Sequence, residues 1–196
     1  FYVVSDCIDK NTPTWTHVLE HLFQFTNKVE INIDFGFLPL ELKVNQLKSK
    51  EERIAYVFKL KPFLKKLSHG DRNKVLELIT QAYSDVELPQ LMMNWNDLNE
   101  LKNAGHYIGS HSVTHSMLGT MSDEKEIKNE LQLSGNKIKE HLGYFPQTIS
   151  YPVGSFNEVT KRLAKEVGYN IGLAVKQKVY DPGKTDIFEI PRIELY

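Results

Sequence analysis

Two histidines, His111 and His115, stand four residues apart in the stretch Gly-Ser-His-Ser-Val-Thr-His. Imidazole is a good ligand for a borderline divalent cation such as zinc. Residues four apart share a helix face, so histidine pairs at this spacing often hold a metal. Here the intervening Ser112, Val113 and Thr114 are polar or β-branched and favour a loop or tight turn over a helix interior. The metalloprotease pattern is excluded, because it needs a glutamate directly after the first histidine and Ser112 stands there. Taken alone, the pair is also open to a bland reading, two polar loop residues that cap the following turn. Further along, Ser-Tyr-Pro-Val-Gly-Ser covers residues 150–155 and reads as a strand running into a turn.

The surrounding pattern says how these residues are positioned. Phe1 to Val4 reads as a short buried strand, aromatic and β-branched. Thr14 is placed to cap a helix with Trp15, Val18, Leu19, Leu22 and Phe23 on one side. The run 29–42 reads as two extended pieces around Asp34-Phe35-Gly36. Ser49 with Glu52 is a capping-box pattern, opening a helix with Ile54, Val57 and Phe58 inward. A further helix follows Asp71, with Val75, Ile79 and Ala82 recurring at helical spacing. Residues 15–92 thus read as a mostly helical insertion or cap within a single domain spanning 1–196.

From residue 93 the rhythm changes to strands alternating with helices. A short helix stops at Gly105, and a short strand then delivers His111 at its end. Ser122 is expected to cap the next helix, which buries Ile127, Leu131 and Ile138 and ends at Gly143. The strand through Ile149 leads into Tyr151-Pro152-Val153-Gly154, and Asn157 starts a helix that Gly168 stops. Strands follow at 169–175 and 188–195. This alternation argues for a parallel α/β arrangement, in which chemistry sits at the carboxyl ends of strands. His111 and the Tyr-Pro-Val-Gly turn both fall at such ends.

Composition bounds the function classes. The chain has 196 residues, 41% hydrophobic and 25% charged, with a net charge of −1. That supplies a real core and no global field for nucleic acid. No run is long and apolar enough to span a bilayer. The single cysteine, Cys7, excludes an internal disulfide, and the compartment stays open. The chain opens on Phe-Tyr-Val-Val, the middle of a strand, so further residues are expected upstream.

Together, Gly-Ser-His-Ser-Val-Thr-His-Ser-Met-Leu and Ser-Tyr-Pro-Val-Gly-Ser, with a helix between them, resemble the NodB-homology polysaccharide deacetylases, carbohydrate esterase family four. The family's His-Ser/Thr-x-x-His motif is matched by His111, Ser112 and His115, and its proline-glycine motif by Tyr151, Pro152, Val153 and Gly154. The flanks agree: the segment 92–118, the helix 127–143 and the opening Phe-Tyr-Val-Val-Ser-Asp-Cys-Ile-Asp are similar to the corresponding family segments. The resemblance implies an α/β fold, a distorted (β/α)7-type barrel incomplete at its N-terminus. It also implies a divalent metal on His111 and His115, most simply zinc, with cobalt, nickel or manganese as alternatives. That metal serves hydrolysis of N-acetyl or O-acetyl groups on a bacterial polysaccharide or N-acetylated sugar. By position, the Val153 amide would help hold the oxyanion, and Tyr151, Pro152 and Gly154 would line the substrate cleft. A cell-envelope glycan and no nucleic-acid partner are the expectations that follow.

Two departures qualify the resemblance. The family's Thr-Phe-Asp-Asp-Gly motif, which supplies the general base and the carboxylate ligand, would lie before residue 1. Asp34 is a poor substitute, since no second aspartate precedes Phe35. The family's late histidine, which protonates the leaving amine, is also missing, because no histidine follows His141. Ser150 stands where the proline-glycine motif commonly carries arginine. Arg192 is placed to orient the absent base instead, with a surface ion pair as the alternative. The chain by itself is therefore expected to bind metal weakly and to deacetylate poorly. Two alternatives remain at this level: a degenerate module of the same fold that binds glycan without turnover, and an α/β domain whose histidine pair is incidental.

Overall fold

The computed structural model describes residues 1–193 and divides into two compact units. Unit 1 joins Phe1–Thr12 to Leu91–Tyr196, and unit 2 is Pro13–Gln90. In chain order the elements are β1 (Tyr2–Val3), α1 (Ser5–Lys10), α2 (Trp15–Phe25), β2 (Glu30–Asn32), α3 (Leu40–Lys43), β3 (Val44–Gln46), α4 (Lys50–Leu64) and α5 (His69–Ala82). There follow α6 (Trp95–Asn103), β4 (Gly109–Ser110), α7 (Glu124–Leu142), β5 (Thr148–Ser150), α8 (Glu158–Val167) and β6 (Ile171–Leu173). No helix among the described residues is long and apolar enough to cross a membrane.

Unit 1 is an α/β layer built on a parallel sheet in the order β1-β4-β5-β6, continued by a parallel bridge from Leu173 to Ile190. Helices follow the strands because each helical segment carries one apolar stripe and a clear stop. In α7 the stripe is Ile127, Leu131, Ile138 and Leu142, all buried. Each such side chain contributes roughly 1.5–3 kcal/mol on leaving water. Gly143 ends the helix at φ 85°, a conformation that favours glycine. The cap at the other end is Asp123, whose carboxylate accepts the Lys125 amide, rather than the expected Ser122. Asn157 caps α8 through the Thr160 amide, and Gly168 closes it at φ 113°.

The strand expected over 188–195 is reduced to the single bridge at Ile190, preceded by a 3₁₀ turn over Ile187–Glu189. Glu194 and Leu195 lie outside the described residues. The turn is held by Lys161, which is buried and takes Asp186 at 2.9 Å, Glu189 at 2.7 Å and Glu158 at 2.8 Å. The Phe188 amide and then Lys161 hold the Asp186 carboxyl below its usual 3.8. Lys161 and then Lys176 do the same to Glu189, below 4.5. A carboxylate whose folded pKa is depressed stabilises the fold above its unfolded pKa, and that contribution is lost as pH falls through the folded value. Acidification below pH 3.8 is therefore expected to free residues 186–192 before the sheet melts. Amide exchange of Phe188 and Ile190 across pH 6 to 3 checks this, and uniform loosening of the whole unit would contradict it.

Unit 2 is helical with a small antiparallel pair, Glu30↔Gln46 to Asn32↔Val44. Its core gathers Leu19, Leu22, Phe23, Leu60, Leu64, Val75, Ile79 and Tyr83. The Ser49–Glu52 capping box forms in both directions, each bond 3.1 Å. Two expectations are corrected here. The buried stripe of α4 is Tyr56, Val57, Leu60 and Leu64, which leaves Phe58 69% exposed. The second extended piece after Gly36 begins only at Val44, because Leu40–Lys43 closes into a helical turn behind Pro39.

Candidate functional site

The carboxyl ends of β1, β4 and β5 bring the motif residues together. His111 leaves β4 with its amide bonded to the Val3 carbonyl at 2.9 Å. Its Nδ1 lies 2.5 Å from the Ser150 carbonyl oxygen, at the end of β5. A carbonyl can only accept, so Nδ1 carries the proton and the Nε2 lone pair is left for a ligand. The carbonyl thereby fixes both the tautomer and the orientation of the imidazole. Burial, and then the nearby charge of Arg192, hold the His111 pKa below its ordinary value despite the opposing bond to Ser150. The ring is therefore neutral at pH 7.

His115 is buried, and its ring centroid lies 5.0 Å from that of His111 at an interplanar angle of 66°. The backbone that joins them is strained. Ser112 sits at φ 67° and His115 at φ 60°. Val153, in the turn after β5, sits at φ 56°. Non-glycine residues in this region are uncommon, and a β-branched one there is a genuine outlier. Such strain concentrates at functional sites, where the surrounding structure over-determines it. Of the four positive-φ non-glycine residues in the described chain, three fall in these two motifs; the fourth, Asn11, caps α1.

The Tyr-Pro-Val-Gly turn is closed by Gly154 N to Tyr151 O and Ser155 N to Pro152 O, each 2.9 Å. Neither bond uses the Val153 amide. Val153 and Gly154 are half-buried and Pro152 is buried. Tyr151 departs from the expected substrate contact. Its side chain is 0% exposed, stacks on Phe156 and lies against Gly172 in the core. The residue after Ser150 points down into the sheet's packing layer, so Tyr151 supports the turn from beneath. Arg192 is anchored by its Nε to the Ala174 carbonyl at 3.4 Å and by its backbone to Lys176. Its charge acts on His111, and no surface ion pair of Arg192 is seen among the described residues.

A divalent metal suits the donor set as far as it goes: two imidazoles, one with its tautomer fixed. Among the described residues, no group of three or more His, Cys, Asp or Glu side chains is gathered for a metal. The aspartates within reach of a sequence argument are committed elsewhere. Asp6 pairs with Lys10 and Lys137. Asp34 lies in unit 2, where it pairs with Lys43. Cys7 is buried, and its thiol is pushed up to about 11 by burial and then by the Asp6 charge, so it is inert at neutral pH.

The sequence profile of the polysaccharide deacetylase family matches residues 78–172, a span that contains both motifs and the helix between them. Residues 78–172, just under half of the chain, are thus similar to a polysaccharide deacetylase domain. The chain is 36% identical, over 67 residues, to the peptidoglycan-N-acetylglucosamine deacetylase PgdA of Listeria monocytogenes. That match covers 34% of the chain, and it spans only 14% of the relative's length. The fold is similar to that of the Streptococcus pyogenes deacetylase PplD, with a TM-score of 0.50 at 18% identity over 66% of this chain and 61% of that one. It is likewise similar to the BpsB deacetylase domain of Bordetella bronchiseptica, with a TM-score of 0.50 at 23% identity over 55% and 51% of the two chains. The chain thus shares an α/β fold with these proteins.

One residue of the site escaped the sequence reading. Glu130 of α7 accepts from the amides of Val113 and Thr114 and from the Thr114 hydroxyl. A signal was present: Glu130 falls three residues after Ile127 and four before Ser134, on the stripe α7 buries. An acid on an inward stripe must be committed to donors.

Proposed function

We propose that the deacetylase domain contributes to metal-dependent removal of acetyl groups from an N-acetylated glycan. What supports this reading is the convergence of strain on its two motifs: Ser112, His115 and Val153 are all left-handed at the ends of neighbouring strands, with His111 locked between them by Ser150. His111, through Nε2, and His115 would hold the cation, with zinc the first candidate and cobalt, nickel or manganese also suited to imidazole. When bound, such a cation polarises an acyl carbonyl and activates water. The domain's own residues do the rest of the work assigned here. The Val153 amide, unused by its turn, donates to the developing oxyanion. Pro152 and Gly154 shape the wall beside it. Arg192 sets a positive charge near His111 that favours an anionic partner, such as a base or an acidic group of the substrate. The name of the Listeria relative points to N-acetylglucosamine in peptidoglycan as the first substrate to try.

The test is acetate release from N-acetylglucosamine oligomers, with zinc added or chelated, by this chain and by a polypeptide extended upstream of Phe1. Zinc-dependent release by the extended form is the expected result, with the shorter chain slower by about 10²–10⁴-fold for want of a general base. Zinc-independent release, or none from either form, would overturn the reading. Retained glycan binding in that last case would make the domain a binding module.

A further inference from the structure

The histidine loop is held from two sides. On one, α1 donates: the Ser5 amide reaches the Ser112 carbonyl at 3.3 Å and the Asp6 amide reaches the Val113 carbonyl at 3.0 Å. On the other, a single carboxylate receives. Glu130 Oε2 accepts from the Val113 amide at 2.9 Å and the Thr114 amide at 3.0 Å, and Oε1 accepts from the Thr114 hydroxyl at 2.6 Å. Those three donors occupy most of the acceptor positions a carboxylate has. They lie on the two residues between Ser112 and His115, the two left-handed positions of the loop. With its amides turned to solvent, the loop would lose one of the two sets of bonds that oppose the cost of φ > 0 at non-glycine residues.

We propose that Glu130 is the positioning residue of the histidine loop. It holds the backbone of Val113 and Thr114 so that His115 presents its ring beside His111 before any ligand arrives. The inference rests on the metal reading above and deepens it: the pair is pre-organised by an acid on a neighbouring helix, and the ion does not have to gather it. Glutamine at this position keeps one carbonyl oxygen for the two amides and turns an NH₂ toward the Thr114 hydroxyl, so it should conserve the loop. Alanine removes all three acceptor contacts.

The experiment compares Glu130→Ala, Glu130→Gln and Thr114→Val with the unsubstituted chain. Loop structure is read without metal, from amide exchange of Val113 and Thr114 and from the ring resonances of His115. Zinc affinity is read by competition with a chromophoric chelator, and melting temperature reports the fold. Glu130→Ala should speed exchange at both amides, shift the His115 signals and weaken zinc by about 10–100-fold, the range typical of outer-shell partners. Glu130→Gln should restore most of each. If Glu130→Ala does not fold, Thr114→Val decides, because it leaves both amide bonds to Oε2 and removes only the bonds of the Thr114 hydroxyl, to Oε1 and to Ser116 Oγ. It should shift the His115 signals and speed Thr114 exchange at an unchanged melting temperature. Wild-type loop signals in whichever of these variants folds would overturn the proposal, as would a glutamine variant that behaves like alanine. Failure of the unsubstituted chain to bind zinc would count against the metal reading alone, since the loop measurements are made without it.

Discussion

Zinc binding is expected to fall by more than about 100-fold when His111 is replaced by asparagine, beyond what loss of an outer-shell partner costs, with little change in melting temperature. The argument lies in the two ring nitrogens. Nδ1 is spent on the Ser150 carbonyl at 2.5 Å, which leaves Nε2 for the proposed cation. An asparagine amide can donate to the same carbonyl but offers no second nitrogen. Alanine is the less informative change, because it strands a partly buried acceptor and costs about 1–3 kcal/mol of stability on its own account. His115→Ala should remove zinc equally. Equilibrium dialysis with zinc, alongside thermal melts, separates the outcomes. Undiminished zinc in the asparagine variant would place the metal elsewhere or nowhere.

The second large effect concerns Gly172, in the middle of β6. A Cβ there would meet the Tyr151 hydroxyl at 2.3 Å and the Phe188 carbonyl oxygen at 2.6 Å. The latter is backbone, and the Gly172 carbonyl itself accepts the Ile190 amide at 2.9 Å, so neither partner can retreat cheaply. Gly172→Ala should cost about 3 kcal/mol, the upper end for overpacking, lowering the melting temperature by roughly 6–12 °C. Gly36→Ala is the control, since a Cβ there meets nothing within 4 Å. Tyr151→Phe should be neutral or slightly stabilising, because its buried hydroxyl has no hydrogen-bond partner among the described residues. In combination with Gly172→Ala it should recover part of the loss but not the contact with Phe188. A melt of Gly172→Ala equal to wild type would show that the sheet yields where it is drawn as rigid.

Much of unit 1 was legible because its signals are local. Glycines at 105, 143 and 168 take left-handed stops, and the stripe of α7 repeats at the helical period. The histidine loop and the proline-glycine turn were found by type and spacing. What failed was whatever depends on which way an element is rotated. In α4 apolar residues occur all round the helix, so periodicity cannot tell Phe58 from Tyr56. Ile149 and Ser150 of β5 are both buried, so alternation could not say that Tyr151 turns inward. Ser122 and Asp123 are both good caps, and only geometry chose between them. Glu130 was missed because two of its three donors are main-chain amides, which every sequence has and no sequence displays.

The pairing of β1 with β4, Tyr2 opposite Gly109, also carries a consequence for how the chain reaches this state. The whole of unit 2 is threaded between the two strands. As the polypeptide is synthesised, β1 emerges before β4 and cannot pair with it until everything through Gly109 has followed. A long unstructured loop is slow to close, and an unpaired strand is exposed to association while it waits. The route is shortened if unit 2 condenses on its own core first, because the chain leaves and re-enters unit 1 at a clasp, the Met92 amide on the Asn11 side chain at 3.0 Å. Defects confined to the core of unit 2 would then delay pairing of β1 with β4, and with it the ordering of the histidine loop that follows β4.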